Sequence, residues 1–225
     1  FIFCEYGHGS LYKLAEGESA ALKIKTFADL KGKRVFVGPP RGGASPVAIQ
    51  AIKLNSGLVN KKDYKEIRMP WNAGIQAMAD GKLDAFVRPA GIGAASMDQL
   101  GAKRKFRLLD VDPAKMVKFM AKPDRIMMKI PAGTYKNQSN NDRDVVVDGF
   151  RHQLAVRKSM SADQVYKITK TLFDNLPDMK KAAVTLRDVS AKDPFTGANI
   201  PLHAGAIRYY KEVGMKIPAN MIASK

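Results

Sequence analysis

Two glycine-containing stretches hold the residues of this chain best suited to chemistry. In one, Arg41 precedes Gly42-Gly43-Ala44-Ser45; in the other, Arg88 precedes Pro89-Ala90-Gly91-Ile92-Gly93. Each follows a short apolar run, Val35-Phe36-Val37 or Ala85-Phe86-Val87, and leads into a helical pattern. The first N–H groups of a helix have no intrahelical partner and carry the positive end of the helix dipole. Glycine lets a ligand approach that backbone closely, so a strand-glycine-helix turn suits an anion. In a parallel sheet two such turns share one edge, at the carboxyl ends of the strands, and meet a single ligand together. Arg41 and Arg88 flank the turns and suit charge-assisted, bidentate contact with a carboxylate. Glycine turns also serve simply to reverse a chain, and on pattern alone that reading stands level with the first.

Two aromatic residues join the candidates. Trp71, the only tryptophan, stands with Asn72 in Met69-Pro70-Trp71-Asn72, just ahead of a helix start. It either walls a pocket at the strand edge or packs half-buried. Tyr135, after Pro131-Ala132-Gly133-Thr134, either closes over a ligand or braces its loop. The ligand-binding set is therefore Arg41, Gly42, Gly43, Ala44, Ser45, Trp71, Asn72, Arg88, Pro89, Ala90, Gly91 and Tyr135.

Several reactive signatures are missing. The Gly42 turn lacks the Lys-Ser/Thr pair of a nucleoside-triphosphate loop and the three spaced glycines of a dinucleotide site. Ser10 and Ser45 lack a nucleophile-elbow frame. Asp110 and Asp112 read as caps of the helix that follows, not as a catalytic pair. His8, His152 and His203 lie far apart, and Cys4 is the only cysteine, so metal, disulfide and Cys-x-x-Cys chemistry are not expected. The expectation is a binding protein without cofactor or metal, and not an enzyme.

The elements that must position these residues alternate, as in an α/β protein with a largely parallel sheet. Arg34-Val35-Phe36-Val37 reads as a buried strand; Ser45 fits the N-cap of the next helix, Pro46 its first position and Gly57 its stop. A helix over 74–80, a strand over 83–88, a glycine turn at Pro89-Ala90-Gly91-Ile92-Gly93 and a helix over 94–100 repeat the theme. A strand over 106–111 and a helix over 113–120 follow, then a strand over 125–130. Residues 136–143 form a polar, Asn-rich loop expected to be mobile. A strand over 144–148 precedes a helix over 162–176, with Ser161 and Gln164 as a capping box and Val165, Ile168, Leu172, Phe173 and Leu176 as its apolar stripe. The last helix, over 204–213, stops at Gly214.

Composition sets the outer bounds. The 225 residues allow one large domain or two small lobes, and no apolar run is long enough to span a bilayer. No basic-then-apolar targeting segment opens the chain. Lys and Arg number 38 against 21 acids, a net charge of +17 that points to anionic partners: nucleic acid, acidic lipid or a small carboxylate or phosphate. The basic groups are scattered over loop edges and one amphipathic stretch, as on a solvated surface.

The chain resembles the TAXI-type solute-binding proteins of TRAP (tripartite ATP-independent periplasmic) transporters. The matching stretches are Lys25-Thr26-Phe27-Ala28-Asp29-Leu30-Lys31-Gly32-Lys33-Arg34-Val35, the turn over 38–45, Gly81-Lys82-Leu83-Asp84-Ala85-Phe86-Val87-Arg88-Pro89-Ala90-Gly91, Ile130-Pro131-Ala132-Gly133-Thr134-Tyr135, and Pro201-Leu202-His203-Ala204-Gly205-Ala206-Ile207-Arg208-Tyr209-Tyr210. The stretch Tyr166-Lys167-Ile168-Thr169-Lys170-Thr171-Leu172-Phe173 also matches. The resemblance implies a two-lobed, type II periplasmic-binding-protein-like α/β fold that closes over a dicarboxylate or acidic amino acid. It implies a periplasmic or otherwise extracytoplasmic receptor that hands its ligand to TRAP membrane subunits; a monomer is expected. Carried over by position, the turns at 42–45 and 88–91 supply the ligand contacts of one lobe. The family opens with a βαβ unit and a glycine-aromatic loop that have no counterpart before Phe1. The expected division is therefore 1–23 as the end of the first lobe or a connector, 24–143 as a complete second lobe, and 144–225 as the return into a partly missing first lobe, with hinge strands near 125–129 and 145–148.

The competing readings are a nucleic-acid or polyanion binder, a ligand sensor built from the same lobes, and an enzyme on the same scaffold. The first lacks an aromatic ribonucleoprotein motif, a zinc pattern and a helix-turn-helix, so no nucleic acid is expected. The last lacks an acid–base pair beside the turns.

Overall fold

A computed structural model describes residues 6–14, 24–103, 105–151, 153–183, 186 and 189–223. Cys4 and His152 lie outside the described residues. The strands are β1 (Tyr6–Leu14), β2 (Arg34–Gly38), β3 (Lys65–Arg68), β4 (Ala85–Gly91), β5 (Phe106–Leu109), β6 (Arg125–Ile130) and β7 (Val145–Arg151). The helices are α1 (Ala44–Ser56), α2 (Trp71–Ala79), α3 (Ala95–Lys103), α4 (Pro113–Met120), α5 (Ala162–Asp174), α6 (Leu176–Ala182) and α7 (Ala204–Glu212). The chain forms two compact units, one of residues 8–121 and 126–149, the other of 1–7, 122–125 and 150–225.

The fold is mixed α/β. One sheet runs in the order β3-β2-β4-β1-β7-β6, with β5 joined to β1 off that path. β2 is parallel to both β3 and β4, in register through Val35↔Glu66 and Val35↔Ala85, whereas β1 and β5 are antiparallel, so the sheet is not parallel throughout. Alternation along β2 divides its side chains between two cores. Val35 and Val37 join Leu30, Ile52, Val87 and Met116 under α1 and α4. Phe36 points the other way, to Met78, Phe86, Met97 and Leu100 under α2 and α3. The ring of Phe36 stacks on that of Phe86, its register partner, at 5.1 Å.

A charged clasp fixes the register of β2 on β4. Arg34 donates from its backbone N–H to Asp84 at 2.7 Å, and its guanidinium grips both carboxylate oxygens at 3.1 and 3.0 Å. Burial opposes ionisation of Asp84, but the hydrogen bonds from Arg34 outweigh it and hold the carboxyl below the usual carboxylate range.

Several boundaries differ from expectation. Asp112 caps α4 through Ala114, as expected of it, but Asp110 does not. It instead accepts both guanidinium nitrogens of Arg143, at 3.0 and 2.6 Å, and the N–H of Val146. The Asn-rich loop is built into the sheet and not free-standing. Asn140 accepts from the N–H of Leu108 and donates to its carbonyl, and Asn137 donates to Gly101. A run of polar residues reads as loose from sequence, yet here their amides complete the hydrogen bonding of β5.

In the second unit the capping box of Ser161 and Gln164 opens α5 as expected. The helix breaks at Asn175, and α6 begins at Leu176. Val165, Phe173 and Leu176 are buried, but Ile168 is 39% exposed and Thr169 takes the buried place instead, bonding the carbonyl of Val165. Gly205 is where α7 crosses the start of α5. A Cβ there would lie 2.2 Å from the carbonyl oxygen of Ala162, so only glycine permits this approach. His203 caps α7, accepting from the N–H of Gly205, which is a structural role.

Candidate functional site

Three parallel strands end on one edge of the sheet and each leads into a helix there: β2 into α1, β3 into α2, β4 into α3. α1 lies on the Val35 and Val37 face, whereas α2 and α3 lie on the Phe36 face. The chain therefore leaves β2 and β4, which are neighbours, toward opposite faces. Connections that diverge to opposite faces mark the usual ligand position in open α/β sheets, at the carboxyl ends of the two strands.

The first turn is shaped by backbone. Gly38 ends β2 at φ 120°, a conformation that disfavours a side chain, and a Cβ there would stand 3.1 Å from the Ser45 hydroxyl and 3.5 Å from the Trp71 ring. Gly42 folds back on Pro39, donating to its carbonyl at 3.1 Å, and a Cβ would meet that oxygen at 3.2 Å. Arg41, exposed at the tip, holds the left-handed region at φ 60°. The N-cap of α1 is Gly43, not Ser45, and no side chain caps the helix. Ala44 is its first residue and Ser45 its second; the buried Ser45 hydroxyl donates back to the Pro39 carbonyl at 3.3 Å. The expected cap fails because the helix has already begun at Ala44, which places Ser45 inside the first turn and not at its boundary. At this helix start the Ser45 N–H bonds the Gly42 carbonyl at 3.3 Å and Pro46 has no N–H, so the backbone offered to an outside acceptor is that of Gly43 and Ala44.

The second turn is displaced from expectation. Arg88, Pro89, Ala90 and Gly91 are the last four residues of β4, and the turn begins at Ile92. β2 pairs with β4 only as far as Phe36↔Phe86, so Pro89, which has no N–H, lies beyond that ladder and the strand can continue through it. Gly93, at φ 80°, forms the turn itself. Its N–H donates to the hydroxyl of Tyr135 at 3.0 Å. Tyr135 is buried against Phe106 and braces this turn from within the fold.

Trp71 is half-buried and is the first residue of α2, not part of a loop before it; Asn72 follows, exposed, in the first turn. The helix starts three residues earlier than its apolar pattern suggests because the preceding Pro70, extended at φ −55° and ψ 150°, sets the entry. α2 lies close on β2 through Gly74, where a Cβ would stand 2.7 Å from the Phe36 ring. That approach brings the Trp71 ring edge-on to Phe36 at 5.5 Å. The guanidinium of Arg88 lies over the other side of the site, 5.5 Å from the centre of the Trp71 ring.

The structure thus brings together Arg88, Trp71, Ser45 and the Gly42–Gly43 backbone. Asn72 and Arg41 stand on their elements at the same edge, and Tyr135 supports it from below. Gly38 and Phe36 were not among the sequence candidates. A glycine directly after an apolar strand and before Pro39-Pro40 was the available signal for the first; nothing in sequence marks Phe36 as the seat of Trp71. Among the described residues no three His, Cys, Asp or Glu side chains gather as a metal site, and no helix is long and apolar enough to cross a membrane.

A family model for the NMT1-like family matches residues 13–214, which includes every residue of this edge. The chain belongs to the NMT1-like family. Among solved structures, the alkanesulfonate-binding protein SsuA from Xanthomonas axonopodis pv. citri, bound to MOPS, is 16% identical over 49% of this chain and 36% of its own, with a TM-score of 0.36. An ancestral arginine-binding protein bound to arginine is 15% identical over 92% of this chain and 60% of its own, with a TM-score of 0.40. A TRAP solute binding protein from Rhodoferax ferrireducens T118, in complex with benzoate, is 15% identical over 67% and 33%, with a TM-score of 0.31. The chain spans between a third and three-fifths of the length of these three proteins. Likeness at this level leaves the site to be read from its own residues.

Proposed function

We propose that this member of the NMT1-like family is a solute-binding receptor, not an enzyme, and that it holds a small organic anion at the carboxyl ends of β2 and β4. One observation carries the reading: Arg88 lies over Trp71 at 5.5 Å, beside a helix start that no side chain caps. A cation on an aromatic wall and the Gly43 and Ala44 N–H groups at a helix start together suit a carboxylate attached to a small carbon frame. The finer reading follows the sequence resemblance: a TAXI-type receptor that takes a dicarboxylate or acidic amino acid, works outside the cytoplasm as a monomer, and passes its ligand to TRAP membrane subunits. In this reading Arg88 and the 42–45 backbone hold the anion, Trp71 and Asn72 wall it, and Arg41 meets it at the rim. The division of the chain at residues 24–143 and 144–225 belongs to the same proposal.

The test is isothermal titration with a panel of dicarboxylates, acidic amino acids and 2-oxoacids. A ligand that binds should lose about a hundredfold in affinity with Arg88→Ala, the scale of a lost charge-assisted bidentate contact. Unchanged affinity in Arg88→Ala would sink this site.

A further inference from the structure

The second unit holds a groove that takes no part in the site above. It encloses about 500 Å³, within the usual span of a small-ligand site, and every residue lining it falls within 150–225. One wall is the irregular stretch Leu154-Ala155-Val156, and the other is Ile200-Pro201-Leu202, which leads into α7. Leu202 is buried, and its N–H donates to the carbonyl of Met221 at 2.8 Å, which brings Ala223 into the lining. Leu154 is 40% exposed and Ile200 47%, yet both face this one cavity. Single exposed apolar side chains need no explanation, whereas several gathered in one concavity mark a binding surface.

Lys158 and His203 are the only ionisable residues in the lining, and they meet at one place, with His203 Nε2 3.3 Å from the Lys158 carbonyl. The imidazole is fully engaged there. Its Nδ1 accepts the N–H of Gly205 at 3.2 Å, which leaves the ring proton on Nε2 to be donated to that carbonyl. Lys158 is exposed and makes no ion pair with a described residue, and no carboxylate lines the groove. One uncommitted ammonium therefore stands beside His203, and hydrocarbon covers the rest. The complement of that lining is a molecule with a single negative end and an aliphatic body. A dicarboxylate would set its second charge against hydrocarbon, at a desolvation cost that nothing in the lining offsets.

We propose that this groove is a second ligand site, which takes a free medium-chain fatty acid with its carboxylate at Lys158 and its chain along Leu154, Val156, Ile200 and Leu202. The site is independent of the edge formed by β2 and β4, and it stands or falls without it.

The experiment is isothermal titration of the full chain with hexanoate, octanoate and decanoate, each below its micelle concentration. Every added methylene should tighten binding about threefold to fourfold, the worth of burying that group. Lys158→Met should weaken decanoate about tenfold, the scale of a lost charge-assisted hydrogen bond, and leave decanol unchanged. Ile200→Asp, at an exposed position that folding tolerates, sets a like charge in the path of the chain and should abolish decanoate binding. Arg88→Ala should leave it unchanged. If instead Arg88→Ala abolishes decanoate binding and Ile200→Asp spares it, the carboxylate sits at the edge and the groove is not its site. Affinity independent of chain length would show that the net charge of +17 alone gathers these anions, and would also overturn the proposal. So would absence of binding, including the case in which a second copy of the chain closes the groove in a dimer that Ile200→Asp dissolves.

Discussion

The two turns at the carboxyl ends of β2 and β4 look alike in sequence and are held in different ways. The turn after β2 is shaped by its own local chain: Gly38 at φ 120°, Gly42 folded on Pro39, and the nearby Ser45 hydroxyl bonded to the Pro39 carbonyl. The turn after β4 leans on a side chain from far along the chain, with Tyr135 receiving the Gly93 N–H at 3.0 Å. A turn made of backbone leaves its surface open to a ligand. One braced by a buried phenol is tied to the core, and its neighbour Arg88 inherits that rigidity.

Gly38→Ala should break this contrast most severely. A side chain at φ 120° costs about 2–3 kcal/mol, and it presses on both Ser45 and Trp71. Denaturant titration should show that loss, and anion affinity should fall with it. If stability is unchanged, the first turn is not set by its backbone.

Tyr135→Phe tests the second turn. It strands the Gly93 N–H beside a buried ring, at a cost of about 1–2 kcal/mol. Amide exchange should quicken at Gly93 and at the start of α3 while Gly42 stays as it was. Equal quickening at both turns would show that the two are one unit.

At the far end of the same strand pair, Asp84→Asn removes the clasp that sets their register. Half-exposed partners and salt screening limit its worth to about 1 kcal/mol. The folded Asp84 carboxyl lies below its unfolded value of about 3.9, so this contribution is complete above that pH and is lost as pH falls through the folded value. The gap between wild type and Asp84→Asn in thermal melts should therefore be constant near neutrality and narrow below about pH 4. A gap that widened in acid would reverse the sign and refute the clasp.

Arg41→Gly should be the mildest change. Relief of the left-handed strain at φ 60° is largely offset by the greater freedom of glycine in the unfolded chain, leaving a gain of about 0.5 kcal/mol. A clear loss would mean that the arginine side chain itself holds the first turn.

Much of this edge was legible in the sequence. The alternation of apolar runs with capped amphipathic stretches gave the α/β class, and α4 and β6 match their expected limits because Asp112-Pro113 and Arg125 through Ile130 carry strong local signals. The sequence ends β4 too early because Pro89 reads as a breaker, and only the pairing of its neighbour shows that the missing N–H lies beyond the ladder with β2. The N-cap of α1 falls at Gly43 and not at Ser45 because the helix starts one residue before the serine, at an alanine that carries no capping signal. Trp71 and Arg88 are seventeen residues apart, and their approach follows from Gly74 seating α2 on Phe36, which is a property of packing. Local chemistry is written along a chain; the meeting of two distant side chains is not.

Trp71 is the chain's only tryptophan, and it sits between Arg88 and Phe36 at this edge. Light absorbed at the red edge of the protein spectrum is therefore re-emitted from this one place. Any molecule that settles against the indole, or draws the guanidinium away from it, changes the emission of the whole protein, so this edge carries its own optical probe without a label.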